Sequence, residues 1–314
     1  MKQIYEEAAI ITVWLGNPGN YENNRLAFSM MKSFRKRFLD IQKKGRPYRP
    51  WWWKRKENIP RTIGQDMADL LLTISPATDK EVFDVPGSLI HNAWLGVISL
   101  WGQPWWTRTW VFQESTVPEH YMTSSVAGIP LPPPPSKVKF ICGGQETNWD
   151  ELVVTNSVAS NILTTSDIDS SFLIGAHESA EKLAIFRGRR VRHVYRSFLD
   201  SLQMFRHTDC SDLRDKVHAP LCLAPDNIRR FIQPNYKSKT VLDAYTDVVQ
   251  YYLTQPGHDL GFLGYALYQD GAQVVETPPK AKGAEPIKSV LPSWVPNFSA
   301  NINLDPIPKI LYVP

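Results

Sequence analysis

The stretch from Pro104 to Glu114, Pro-Trp-Trp-Thr-Arg-Thr-Trp-Val-Phe-Gln-Glu, constrains this chain more than any other. Tryptophan and phenylalanine bury large areas and dictate what packs around them. Arg108 and Glu114 add charges that a plain core does not need. Read as a helix from Thr107 onward, the stretch puts Trp110, Val111 and Glu114 on neighbouring faces, with Arg108 one turn from Val111 and Phe112. A large apolar anchor then holds one carboxylate in a defined place. Two readings stay open. In one, Trp106, Arg108 and Trp110 orient a substrate at a catalytic Glu114. In the other, the aromatics are core and Glu114 caps or solvates the open side of its helix.

The rest of the chain limits the classes available. With 314 residues, 43% hydrophobic and 21% charged, it is globular in composition and long enough for one large domain or two ordinary ones. A formal charge of +4 does not argue for nucleic acid. Cys142, Cys210 and Cys222 form no pair or cluster with zinc-ligand spacing, so no metal site or disulfide framework is expected. No stretch approaches the ~18 apolar residues needed to cross a bilayer. Glu6 and Glu7 stand where a signal peptide would be basic. A cytoplasmic protein is expected.

Taken in order, Met1 to Ala9 reads as the end of a helix and Ile10 to Leu15 as a buried strand, closed by Gly16-Asn17-Pro18-Gly19. A helix end leading straight into a central strand suggests an architecture that starts upstream of Met1. Asn24 is placed to cap a helix from Arg25 to about Phe38. Residues 32–56 then hold eleven Lys or Arg, with Trp51-Trp52-Trp53 near the end. This basic insertion, about 39–60, is either a solvated loop or a contact for nucleic acid or an anionic surface. Further helices are expected over Ile63–Ile74 and Leu89–Leu100. The prolines Pro132 to Pro135 favour a stiff extended segment.

Lys137 to Ile141 reads as a short strand ended by Cys142-Gly143-Gly144, and Asn148 with Glu151 as the capped start of a helix. Dinucleotide and Walker phosphate-loop patterns are absent. Helical periodicity covers Leu183 to Phe205 and includes Arg187, Arg189, Arg190, Arg192 and Arg196. Asp212 and Asp215 open a short helix. They read either as paired carboxylates or, at lower cost, as Asp212 capping and Asp215 in the first turn, with Arg214 or Lys216 as ion-pair partners. Helices are expected from Thr240 to Leu253 and around Leu260 to Tyr268, a loop over Gln273–Ser289, and an extended Leu291–Pro296 whose Trp294 docks on the body.

Several of these blocks, in this order, resemble the fungal heterokaryon-incompatibility (HET) domain proteins. They are Ile4 to Ala9 with Val13 to Gly16, Pro104 to Glu114, Cys142-Gly143-Gly144 with Trp149, Cys210 to Lys216, Pro234-Asn235-Tyr236, and Leu291 to Pro296. The family's opening strand and its Cys-Ile-Asn-Gln motif are missing, Asn235 stands where aspartate is usual, and Pro220 interrupts an apolar helix and should kink or end it. The resemblance implies a domain truncated at its N-terminus over 1–224, followed by a helical and extended region over 225–314. It implies an effector of non-self recognition and programmed cell death. It also implies an α/β fold with an incomplete flavodoxin/TIR-like three-layer core, large helical insertions and a helical C-terminal extension.

Some TIR domains cleave NAD at the nicotinamide ribosyl bond. Trp110 and Glu114 are similar to the tryptophan and catalytic glutamate of the plant-type motif, while Arg108 falls at the serine and Val111 at the cysteine. NAD is thus a candidate substrate, with Arg108 or an arginine of 187–196 meeting its pyrophosphate. The alternative is a non-enzymatic module that self-associates or binds protein partners through Trp51–Trp53 and Pro132–Pro135.

Overall fold

The computed structural model describes residues 2–44, 86–116, 125–126, 129–130, 137–165, 198–255, 260–266, 273–279, 281 and 283–300. The expectations for Trp51–Trp53, Ile63–Ile74, Pro132–Pro135 and the arginines of 187–196 lie outside the described residues. The fold is α/β, and the chain divides into two compact units.

One unit, comprising 8–106 and 118–188, contains a mixed sheet. Strand β1 (Ile11–Trp14) runs parallel to β4 (Val138–Cys142), with Val13 opposite Phe140, while the short β2 (Ser125–Val126) and β3 (Ile129–Pro130) pair with each other. Strand β5 (Gln145–Asn148) returns antiparallel to β4. Its turn, Gly143-Gly144, has positive φ at both positions (53° and 83°), the geometry that joins two strands with two residues. A side chain at Gly143 would also meet Pro18 Cδ at 2.4 Å. β5 was not expected from the sequence, although a Gly-Gly turn after a strand is a hairpin signal. The strand expected to be buried throughout alternates instead: Val13 and Leu15 are buried, whereas Trp14 is 59% exposed.

Helix α2 (Tyr21–Lys44) packs on helix α3 (Leu89–Trp101) and on helix α5 (Trp149–Thr165). α2 begins earlier than expected because Asn20, not Asn24, caps it: Asn20 Oδ1 accepts from the Asn23 N–H at 3.0 Å. Asn24 is buried and donates its amide to the Cys142 carbonyl at 3.0 Å, tying α2 to the end of β4. The α2–α3 approach is close enough to require Gly96, where a Cβ would fall 2.2 Å from the Asn23 carbonyl oxygen. Phe34 and Trp94 meet across this contact, with ring centroids 6.1 Å apart.

The other unit comprises 1–7, 107–117 and 189–314. It holds α1 (Lys2–Glu7), α4 (Val111–Thr116), α6 (Phe198–Phe205), α7 (Asp215–His218), α8 (Asp226–Phe231) and α9 (Val241–Thr254). Its core gathers Leu202, Val217, Ile228, Tyr245, Val248, Val249 and Phe298, among others, all buried. Thr240 and Asp243 form a reciprocal capping box at the start of α9. Pro220 acts as expected: α7 stops at His218 and a 3-10 turn, Pro220–Leu223, follows.

Three expectations for the C-terminal region are corrected. The stretch expected as a loop contains a hairpin of β6 (Gln273–Thr277) and β7 (Ile287–Leu291) that packs on α9, with Thr277 Oγ1 accepting from the Val241 N–H at 2.9 Å. The helix expected near Leu260 is a 3-10 turn, Leu260–Tyr265. Trp294 is 44% exposed rather than docked, and Val295 and Phe298 are the residues that bury.

Candidate functional site

The tryptophan-rich block does not form one helix. Pro104–Thr107 is a 3-10 turn and α4 begins only at Val111. Between them Arg108 makes a parallel β-bridge to Asp209: the Thr109 N–H donates to the Asp209 carbonyl (2.9 Å) and the Asp209 N–H to the Thr107 carbonyl (2.6 Å). These backbone pairings with a segment 100 residues away override the local helical pattern. The block also divides between the two units, since Trp105 and Trp106 belong to the sheet unit and Thr107 onward to the helical unit.

Trp106 is a core residue. Its indole N–H donates to the Leu100 carbonyl at 2.7 Å, and its ring stacks on Phe140 at 5.5 Å. Trp105 meets the same phenylalanine edge-on at 5.4 Å. Asn148 Oδ1 accepts from the Glu151 N–H at 3.0 Å at the start of α5, while the Glu151 carboxylate takes the Thr147 hydroxyl at 2.7 Å. Glu151 therefore holds the preceding strand instead of closing a box with Asn148.

The decisive geometry lies in the helical unit. Half-buried Trp110 donates its indole N–H to Asp215 Oδ2 at 3.0 Å, and the Tyr236 hydroxyl donates to Asp215 Oδ1 at 2.6 Å. One carboxylate thus joins three blocks far apart in the chain. Burial raises the Asp215 pKa, and the bonds from Tyr236 and Trp110 oppose that rise. The Tyr236 phenol is pushed well above its ordinary value, by burial first and then by its bond to the Asp215 carboxylate.

Asp212 and Asp215 do not act as a carboxylate pair. Asp212 Oδ1 accepts from the Arg214 N–H at 3.0 Å, and both its oxygens hold the Arg214 guanidinium at 2.5–3.1 Å. Arg214 then reaches the carbonyls of Tyr236 (3.1 Å) and Lys239 (2.8 Å) and lies 5.0 Å from the centre of the Tyr236 ring. Lys216 pairs with neither aspartate. Its buried ammonium donates to the carbonyls of Phe205, Arg206 and Thr208.

Glu114 projects half-buried from α4, one turn beyond Trp110, whose carbonyl its N–H meets at 3.3 Å. Its neighbour Tyr5, on α1, was not foreseen. The Tyr5 phenol is raised by burial and then by the negative charge of Glu114, while the exposed Arg108 opposes. Tyr5, Arg108 and Glu114 therefore share one electrostatic neighbourhood. Tyr5 lies in the Ile4–Ala9 block already singled out, but nothing local in that block ties it to Glu114. Among the described residues no group of three or more His, Cys, Asp or Glu could hold a metal ion. No described helix is long and apolar enough to cross a membrane.

Residues 1–114 match the family model described as Heterokaryon incompatibility protein (HET). This HET match ends at Glu114, the last residue of the tryptophan-rich block. No curated protein and no solved structure matches the chain.

Proposed function

We propose that this chain is an effector domain of fungal heterokaryon incompatibility and programmed cell death, acting in the cytoplasm by hydrolysing NAD with Glu114 as its reacting carboxylate. The HET match supports the biological role. The observation that carries the chemistry is the position of Glu114: one turn beyond a tryptophan clamped by Asp215, with Tyr5 and Arg108 in its field.

In this reading the nicotinamide–ribose bond breaks and its electron pair leaves with nicotinamide, which departs neutral. The ribosyl carbon develops oxocarbenium character, stabilised by the Glu114 carboxylate. Water then adds to that carbon and releases a proton, giving ADP-ribose. Arg108, exposed beside Glu114, supplies positive charge for the pyrophosphate. A flavodoxin- or TIR-like ancestry for the sheet belongs to the same proposal.

A second reading keeps the role and drops the chemistry. The Trp110 indole N–H is bonded to Asp215 and not left for a ligand, as suits a block that only stabilises a self-associating or partner-binding module. Nicotinamide release from NAD by purified protein separates the two. Turnover that is lost in Glu114→Gln, with circular dichroism unchanged, supports the first. Folded wild-type protein without turnover supports the second, and equal turnover in both proteins removes Glu114 from the chemistry.

A further inference from the structure

His218 closes α7 and is 3% exposed. Among the described residues neither of its ring nitrogens has a hydrogen-bond partner. Its ring meets the Tyr236 ring edge-on, with centroids 5.0 Å apart. A buried imidazole without partners is tolerable only when neutral, since a buried charge must be paired.

The carboxylates of its own helix and of the elements packed on it are already engaged. On its own helix, Asp215 is occupied by Tyr236 and Trp110, and Lys216 is cationic and bonded to carbonyls. Asp212 holds Arg214, and Arg214 and Lys239 both present positive charge. On α9, Asp243 caps Thr240, Asp247 pairs with Lys239, and the Tyr245 hydroxyl donates to the Leu213 carbonyl. Tyr251, also on α9, accepts from Asn227. On α6, Asp200 takes the Tyr265 hydroxyl. The following 3-10 turn offers only the Cys222 thiol, and on α4 the Gln113 amide donates to the Ala219 carbonyl. The Gln113 Oε1 is itself buried without a partner and makes no bond to His218.

We infer that His218 is an acid-sensitive latch: its protonation releases Tyr236 from Asp215 and opens the 212–240 segment that clamps Trp110. The imidazolium, buried against Tyr236 without an anionic partner, must shift either towards Asp215 or towards water. Either shift disturbs the Tyr236 ring that meets it edge-on, and with it the hydroxyl that Asp215 holds. The direction of its titration agrees. Burial, followed by the nearby Arg214 charge, lowers the His218 pKa from 6.5 to about 4. The closed form is therefore unaffected above pH 6.5 and loses ground as pH falls from 6.5 towards 4. Across that window the opening equilibrium rises by about 80-fold, approaching about 300-fold only well below pH 4.

Hydrogen exchange on the full chain at pH 7 and pH 4.5, corrected for the intrinsic pH dependence of exchange, tests this. In wild type, peptides covering 213–219 and 234–240 should lose protection at pH 4.5 while peptides of α2 and α5 keep theirs. His218→Phe fills the same site without a titratable nitrogen, and should hold those peptides protected at both pH values. Equal loss of protection in His218→Phe and wild type would overturn the latch. Should that variant not fold, the wild-type result still decides: loss spread evenly over all peptides, or no loss at all, contradicts local release.

Discussion

The Trp110 indole and the Asp215 carboxylate are hydrogen-bonded at 3.0 Å across 105 residues of sequence, and the Tyr236 hydroxyl completes the same carboxylate at 2.6 Å. Through that node the tryptophan-rich block, the start of α7 and the Pro-Asn-Tyr turn act as one structural piece. Glu114 stands one helical turn from it.

Removing one donor should leave a half-satisfied, mostly buried carboxylate oxygen. Trp110→Phe keeps the aromatic body and deletes the N–H, and Tyr236→Phe does the same to the hydroxyl. Each should lower unfolding free energy by about 1–3 kcal/mol, the usual range for a lost hydrogen bond to a charged group. Urea denaturation at pH 7 measures it.

Arg214 is a different case, because its charge is buried and its donors are divided between Asp212 and two carbonyls. Lysine cannot reproduce that planar fork. Arg214→Lys should therefore cost about 2–4 kcal/mol, and Arg214→Ala more, since Asp212 then loses its cation. The same denaturation series reads both.

Asp215 gives a pH signature opposite to that of His218. Its folded pKa is raised, mainly by burial, so the native state binds the proton more tightly than the unfolded chain. Its contribution to stability accordingly grows as pH falls from neutrality through the folded pKa. The stability of wild type relative to Asp215→Asn should increase as pH falls from neutrality towards the ordinary carboxylate range. A difference that stays flat, or shrinks, would show that the carboxyl is not raised.

In the sheet unit the test is steric. Gly96→Ala places a methyl carbon 2.2 Å from the Asn23 carbonyl oxygen, a backbone atom that can yield only if α2 and α3 separate. A loss of about 1–3 kcal/mol is expected, visible as a lowered Tm.

Local chemistry made part of this fold legible. α3 was recognisable because an apolar face coincides with the stop at Gly102, and α9 was expected from Thr240 onward, where the structure adds a capping box with Asp243. Pro220 ended α7 for a reason visible in its ring. Other elements were decided at a distance. Asn20 and Asn24 are both acceptable caps, and only the Cys142 carbonyl draws Asn24 away. The β6–β7 hairpin was hidden by the Pro, Lys and Gly residues between its strands. The central block looked helical from Thr107 onward, yet Thr107 to Thr109 pair with Asp209. Asp215 read as a first-turn charge, since the residues that give it meaning, Trp110 and Tyr236, are distant in sequence.

The most direct test of that convergence is a double-mutant cycle with Trp110→Phe and Asp215→Asn, followed by urea denaturation at pH 7. If the two side chains work as one unit, the double variant should lose at least about 1 kcal/mol less than the sum of the singles. Additivity to within about 0.5 kcal/mol would contradict it, leaving Trp110 and Asp215 as independent neighbours and Glu114 without the support ascribed to it.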